Sequence, residues 1–105
     1  MTIYEQIKGL FKDSKDVHVS TSQIKDQLKE KFGTNPSSII PSDYCYNRCN
    51  DGINFDKHIF EYLGRNSYKY LGEGYSYTGE ICHKPIGQMD EKIIGKWING
   101  KKIID

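Results

Sequence analysis

Apolar residues near the start of the chain recur at helical spacing, as Ile3, Ile7, Leu10 and Phe11. Thr2 precedes this pattern, and Glu5 lies at the three-residue spacing of a capping box. We therefore predict a short amphipathic helix that ends near residue 13. A strand is predicted for Val17-His18-Val19, because apolar and polar residues alternate there.

A second helix is predicted from the capping pair Ser20 and Gln23. Its apolar stripe consists of Ile24, Leu28 and Phe32. Gly33 supplies the left-handed residue that commonly ends a helix. This stretch carries the strongest helical signal in the chain.

Residues 35–52 contain breakers that divide two further elements. Asn35-Pro36 is typical of the start of a helical turn, and Pro41 interrupts the turn after a few residues. We predict an irregular turn there and a third helix over residues 42–50, closed by Asp51-Gly52.

From residue 58 the pattern is typical of strands. Two aromatic-rich runs, 58–63 and 67–71, are joined by Gly64-Arg65-Asn66 and predict a hairpin. A strand is predicted over 80–83, followed by the breakers Pro85 and Gly87. A final hairpin pairs 95–98 with 101–104 across Asn99-Gly100, a strong hairpin-turn signal.

This order predicts one α+β domain over residues 1–105, a winged helix with an additional C-terminal β-hairpin. The helix-turn-helix would span about 20–52, the wing about 58–71 and the C-terminal strands about 80–105. In such a fold the third helix enters the major groove of DNA.

Composition narrows the class of protein. The chain has 105 residues and a formal net charge of +1, which excludes a polybasic nucleic-acid binder and leaves a local basic patch as the source of any DNA contact. No apolar run approaches the roughly 18–20 residues of a membrane span, and the start lacks the pattern of a secretory leader. We expect a soluble cytoplasmic protein without a membrane partner, either a monomer or a homodimer.

Metal binding and catalysis have little support in the sequence. The three cysteines favour reduced thiols over a disulfide scaffold. Cys45, Cys49, Cys82 and His83 form a weak zinc set, because their spacing matches no common finger or ribbon. His18, His58 and His83 lie in separate predicted strands without a nucleophile motif. We expect no metal, no cofactor and no enzymatic activity.

Three segments carry a family resemblance: NPSSIIPSDYCYNR (35–48), FEYLGR (60–65) and YKYLGE (68–73). They resemble a family of small bacterial and phage winged-helix proteins. Similar modules occur as DNA-reading domains beside the nuclease domains of modification-dependent restriction enzymes. The resemblance covers residues 20–84 and implies DNA binding, with modified bases as a candidate target.

Polar residues of the predicted third helix are the candidates for base contacts. Asn47 and Asn50 can each pair with adenine, and Arg48 can pair with guanine or bind a phosphate. Under the alternative interpretation the asparagines satisfy local backbone groups, and Arg48 pairs with Asp43 or Asp51.

Phosphate contacts are expected from residues around that helix and on the wing. The hydroxyl candidates are Ser37, Ser38 and Ser42 at the start of the helix, and the cationic candidates are Arg65 and Lys69.

The chain has eight tyrosines, and seven of them follow residue 43. Tyrosine rings can stack on exposed bases, or they can fill the core of a small sheet that has few aliphatic residues. We favour the core for most of them and expect Tyr46 to be the one that enters the groove.

Two hypotheses for the function remain. The first is a non-catalytic protein that binds double-stranded DNA through its third helix. The alternative is a protein-binding module, or an inhibitor from a phage or mobile element, that docks a host nuclease or regulator through a tyrosine-rich sheet.

Overall fold

The computed structural model describes residues 1–14, 16–84 and 91–104. Two predicted helices are confirmed as α1 (Ile3–Leu10) and α2 (Thr21–Phe32), although α1 is shorter than expected. Both begin with complete capping boxes, and α2 ends at Gly33 in the left-handed conformation. No helix of the described residues is long and apolar enough to span a bilayer.

The first sheet has three antiparallel strands in the order β1-β4-β3. Its strands are β1 (Val17–Ser20), β3 (Phe60–Gly64) and β4 (Ser67–Tyr70). The predicted hairpin is thus confirmed, and the short strand before α2 pairs with it. The first core lies between this sheet and the two helices, where Ile7, Ile24, Leu28 and Phe60 are fully buried.

The prediction of a third helix over residues 42–50 is wrong. Pro36–Ser38 and Pro41–Tyr44 form short 3₁₀ turns, Cys45 forms a parallel bridge with Phe60, and β2 (Arg48–Asn50) is a strand. Cysteine, tyrosine and asparagine are weak helix formers. Pairing with distant strands therefore outweighs the local helical pattern, and no recognition helix forms in this segment.

The second sheet has the order β2-β5-β6-β7. Its other strands are β5 (Gly79–Lys84), β6 (Lys92–Ile98) and β7 (Lys101–Ile104). β2 runs parallel to β5, and the remaining pairs are antiparallel. The turn Asn99-Gly100 has positive φ at both residues, as its sequence predicts. The breakers Pro85 and Gly87 lie outside the described residues.

A second core joins the two sheets. It contains Tyr46, Leu71, Tyr77, Ile81 and Trp97, all of which are buried. The architecture is α+β, as expected, with two α-helices and two sheets in the described part of the chain.

Gly95 and Gly9 provide a matched test of this packing. A Cβ atom at Gly95 would overlap the carbonyl oxygen of Ile103 on β7, whereas one at Gly9 on α1 meets open space. We expect Gly95→Ala to lower the free energy of unfolding by about 1–3 kcal/mol, and Gly9→Ala to raise it by up to about 1 kcal/mol. Urea denaturation of both variants checks this, and equal effects would contradict the close β6–β7 contact.

Candidate functional site

Tyr46, which was expected in a DNA groove, lies inside the protein. It is only 2% exposed. Its hydroxyl donates to the Gly72 carbonyl oxygen at 2.6 Å and accepts from the Tyr75 N–H at 3.0 Å. The expectation that Tyr46 reads DNA directly is therefore wrong, because these bonds and its burial commit the ring to the second core.

Asn47 binds backbone rather than presenting its amide to solvent. Its Nδ2 donates to the Tyr62 carbonyl oxygen at 2.9 Å, and its Oδ1 accepts from the Tyr62 N–H at 2.7 Å. The side chain thus acts like a short piece of paired strand and ties the segment before β2 to β3. Both ends of its amide are used by backbone groups, as under the alternative interpretation, although the partner residue lies 15 positions away in the chain rather than nearby.

Arg48 and Asn50 are also engaged within the protein. Arg48 Nη1 lies 2.9 Å from Glu91 Oε1, and its guanidinium carbon lies 4.4 Å from the centre of the Tyr62 ring. Asn50 Nδ2 donates to Ser42 Oγ at 3.0 Å and to Asp43 Oδ1 at 2.9 Å. Both residues lie on a strand, so the predicted groove-facing helix surface does not exist.

The remaining phosphate candidates do not share one surface element. Ser37 donates its hydroxyl to Asn35 Oδ1 at 2.9 Å, and Ser38 is exposed beside it. Arg65 is exposed in the turn between β3 and β4, and Lys69 is half-buried on β4. Their contacts with phosphate stay predictions.

The weak zinc set is not assembled. Cys45 is fully buried in the first core, whereas Cys49, Cys82 and His83 lie on the paired strands β2 and β5. In the described part of the chain, no three His, Cys, Asp or Glu side chains are placed to hold a metal ion.

His83 and Asp51 form a pair of the kind that orients a histidine in some enzymes. His83 Nε2 lies 2.5 Å from Asp51 Oδ1, and Cys49 is the register partner of His83. Burial raises the pKa of the Cys49 thiol, and the nearby Asp51 charge raises it further. A protonated thiol is a poor nucleophile, so this arrangement does not support a cysteine enzyme.

An aromatic cleft of about 250 Å³ opens where the second sheet meets α1. We use this name for the concavity whose ring-bearing walls are Tyr4, Tyr46, His58, Tyr75 and Trp97. The Trp97 ring meets the Tyr46 ring at 72° and the His58 ring at 80°. Tyr75 is the most exposed of the walls, at 39%.

Two carboxylates, Glu73 and Asp56, also line the aromatic cleft. Glu73 Oε2 accepts from the Tyr4 hydroxyl at 2.6 Å and from Lys8 Nζ at 3.3 Å. These two hydrogen bonds, the Tyr4 bond foremost, hold the pKa of Glu73 below its usual range. Glu73 is thus an anion at neutral pH.

His58 is buried in the wall of the aromatic cleft. Its Nδ1 lies 2.9 Å from the Cys45 carbonyl oxygen, which requires a proton on Nδ1. Nε2 then carries a lone pair, and it has no hydrogen-bond partner among the described residues. Burial lowers the pKa of His58, so the ring is neutral at pH 7.

Three lysine ammonium groups lie beside the aromatic cleft. Lys8 Nζ and Lys57 Nζ are 4.7 and 5.7 Å from the centre of the Tyr4 ring. Lys102 Nζ is 5.8 Å from the centre of the Trp97 ring and donates to the Phe55 carbonyl oxygen at 2.6 Å. These lysines form the cationic rim of the cleft but are not among the residues that line it, whereas the charged residues of the lining itself, Asp56 and Glu73, are acidic.

Sequence reasoning missed the aromatic cleft because its walls come from distant segments. The only local signal was the glycine- and tyrosine-rich loop 72–79. Trp97 reaches Tyr46 through the β5–β6 pairing, and the parallel β2–β5 pair has no hairpin signal in the sequence.

Asn47→Ala tests the structural assignment of that residue. Removing the amide leaves the Tyr62 N–H and carbonyl oxygen without these partners, so we expect a loss of about 2–4 kcal/mol in the free energy of unfolding. Asn54→Ala, at an exposed loop position, is the matched control and should change it by less than about 0.5 kcal/mol. Equal stability of the two variants in urea would contradict the assignment.

His58 predicts a pH dependence of stability. Because burial lowers its pKa, the unfolded chain binds a proton more readily than the folded one as pH falls below about 6.5. The free energy of unfolding should therefore decrease from about pH 7 to about pH 5, and His58→Phe should remove part of this slope. His18→Gln, at an exposed position, is the control.

Urea titrations of the three proteins at both pH values measure the slopes. Parallel pH profiles for the wild type and His58→Phe would show that the buried imidazole is not the titrating group.

The comparisons with known proteins place nearly the whole chain in one family. A family model described as a domain of unknown function, DUF7225, matches residues 2–104. The chain is 58% identical over 102 residues to the uncharacterized protein YnaC of Bacillus subtilis (strain 168), a match that covers 97% of this chain and 39% of that protein. The chain thus spans well under half the length of this relative. No solved structure matches it. The chain belongs to the DUF7225 family.

Proposed function

We propose that this domain is a non-catalytic DNA-binding module, and that the β6–β7 hairpin rather than a third helix contacts the DNA backbone. The observation that carries the proposal is the charge of this hairpin. Residues 92–104 contain four lysines and no acidic residue, whereas the whole chain has a net charge of only +1. Local concentration of lysine is what phosphate binding requires of a near-neutral protein.

The register of the hairpin supports this role. Lys96 pairs with Ile103 and Lys101 with Ile98, which places both lysines on the face opposite Trp97. Lys102 pairs with Trp97 and lies on the same face as the aromatic cleft. Lys92, at the start of β6, is exposed as well. Cationic groups thus lie on both faces of one hairpin.

The winged-helix mode of reading DNA loses its main support. It needs a helix at 42–50, where the chain forms a 3₁₀ turn and a strand, and the base-contact candidates Asn47, Arg48 and Asn50 are engaged within the protein. Arg65 and Lys69, on the β3–β4 hairpin, remain available for phosphate contacts under this proposal.

The protein-binding alternative is supported by the near-neutral net charge and by four exposed aliphatic residues of the β6–β7 hairpin, Ile93, Ile98, Ile103 and Ile104. The tyrosines on which it was based are poorly placed for it. Tyr4, Tyr46, Tyr68, Tyr70 and Tyr77 are at most 7% exposed. DNA binding therefore has the stronger physical argument.

Salt dependence distinguishes hairpin binding from other modes. We expect labelled duplex DNA to bind with an affinity that falls with salt, and Lys96→Ala/Lys101→Ala to make the slope of log affinity against log salt less steep by about 2. Fluorescence anisotropy at several salt concentrations measures this slope. Duplexes with plain cytosine, modified cytosine and modified adenine test whether a modification is selected.

Lys29→Ala/Lys31→Ala removes the same charge from exposed positions on α2 and should leave the slope close to that of the wild type. Equal effects of the two double variants would contradict a hairpin-centred interface. Absence of duplex binding at low salt would contradict DNA binding altogether and would favour a protein partner.

A further inference from the structure

The size of the aromatic cleft sets the scale of what it can hold. Its volume of about 250 Å³ lies just below the roughly 300–1,000 Å³ of pockets that take drug-sized ligands. Aromatic walls favour a flat or apolar group, and stacking on an aromatic side chain contributes to binding for every nucleobase. A single ring system is thus of suitable size and chemistry.

Three walls of the cleft already donate their polar hydrogens to hydrogen bonds within the protein. The Tyr4 hydroxyl donates to Glu73, the Tyr46 hydroxyl to Gly72, and the Trp97 Nε1–H to the Tyr46 carbonyl oxygen. These walls therefore offer ring surface to a ligand but no hydrogen-bond donor.

Hydrogen-bond acceptors remain in the aromatic cleft. Both protein partners of Glu73 approach Oε2, so Oε1 of the same carboxylate can accept a further bond. Asp56 adds a second carboxylate to this lining, whereas His58 Nε2, which has no partner among the described residues, is buried beneath the surface and lies out of reach of a ligand. A ligand that matches this lining presents N–H donors on its edge.

The cationic rim adds a requirement for negative charge nearby. Lys57 forms no ion pair with a carboxylate of the described residues, and Lys102 reaches the rim from β7. Lysines at this distance repel a simple organic cation, although aromatic walls alone would favour one. A phosphate group attached to a flat, amino-bearing ring satisfies the walls, the acceptors and the rim together.

We propose that the aromatic cleft binds a single nucleotide whose base carries an exocyclic amino group, with Lys57 and Lys102 holding its phosphate. The inference rests on the proposed DNA binding. The nucleotide would belong to the bound DNA, either as one that has left the base stack or as one at the end of a strand. The base stacks on the Tyr75 and Trp97 walls, and its amino group donates to Glu73 Oε1.

Trp97 is the only tryptophan of the chain and reports directly on the aromatic cleft. We expect dAMP, dCMP and dGMP to quench its fluorescence saturably, and dTMP, which lacks an amino group, to bind at least about fivefold more weakly. The Trp97 indole N–H signal in ¹⁵N NMR spectra gives a second measurement that is free of absorption by the nucleotide. Choline serves as the organic cation probe.

Two pairs of variants separate the contacts. Lys57→Ala should weaken dCMP but leave deoxycytidine, which has no phosphate, unchanged, and Lys29→Ala on α2 is its matched control. Tyr75→Ala should weaken the binding of both ligands about fivefold or more, whereas Leu63→Ala, at a similarly exposed apolar position, should weaken neither. Tyr75 and Lys57 are exposed enough for their variants to fold.

The nucleotide, choline and duplex measurements together test the proposed nucleotide site. Equal affinity for all four nucleotides would overturn amino selection, and binding of choline without nucleotide binding would overturn the ligand class. If no nucleotide binds while duplex DNA still binds through Lys96 and Lys101, the nucleotide site is refuted and the proposed DNA binding stands. If neither binds, both proposals fail.

Discussion

Tyr46 ties the two halves of the molecule together. Its N–H donates to the Phe60 carbonyl oxygen of the first sheet at 2.8 Å, and its carbonyl oxygen accepts from Trp97 Nε1 of the second sheet at 2.7 Å. The ring lies between them, stacked on Tyr77 at 5.2 Å and edge-to-face with Trp97 at 5.1 Å. A residue with this many buried partners cannot also face solvent, so the segment around it must be extended. The strand β2, the aromatic cleft and the loss of a recognition helix all follow from that requirement.

Local signals account for the parts of the fold that the sequence predicts correctly. Thr2 and Ser20 cap their helices through neighbours three residues away, and Asn99-Gly100 makes its turn with its own backbone. Residues 42–50 show where such signals fail. Their pattern allows a helix, but Cys45 pairs with Phe60, and Arg48 pairs with Cys82 more than thirty residues away. Long-range pairings of this kind leave no trace in a short sequence window.

In the candidate site, too, local residue types are visible in the sequence but long-range contacts are not. Asn47, Arg48 and Asn50 have the residue types of a DNA-reading surface, yet their polar groups serve the protein's own backbone and carboxylates. The features that replace them, a lysine hairpin and a cleft with unused acceptors, depend on how β6 and β7 are placed. Only the lysines of the hairpin could be recognised from composition, because residues 92–104 lack any acid. The unpartnered His58 Nε2 required the folded structure.

The most direct test of DNA binding through the hairpin is to map the surface that DNA touches, by following ¹⁵N amide shifts during titration with an unlabelled duplex at low salt. We expect the largest changes in residues 92–104 and in the loop at Glu73 and Tyr75, with little change on the outer face of α2. Changes centred on residues 36–50, with the hairpin unaffected, would contradict this interface. They would place DNA binding on the segment that the sequence pattern predicts.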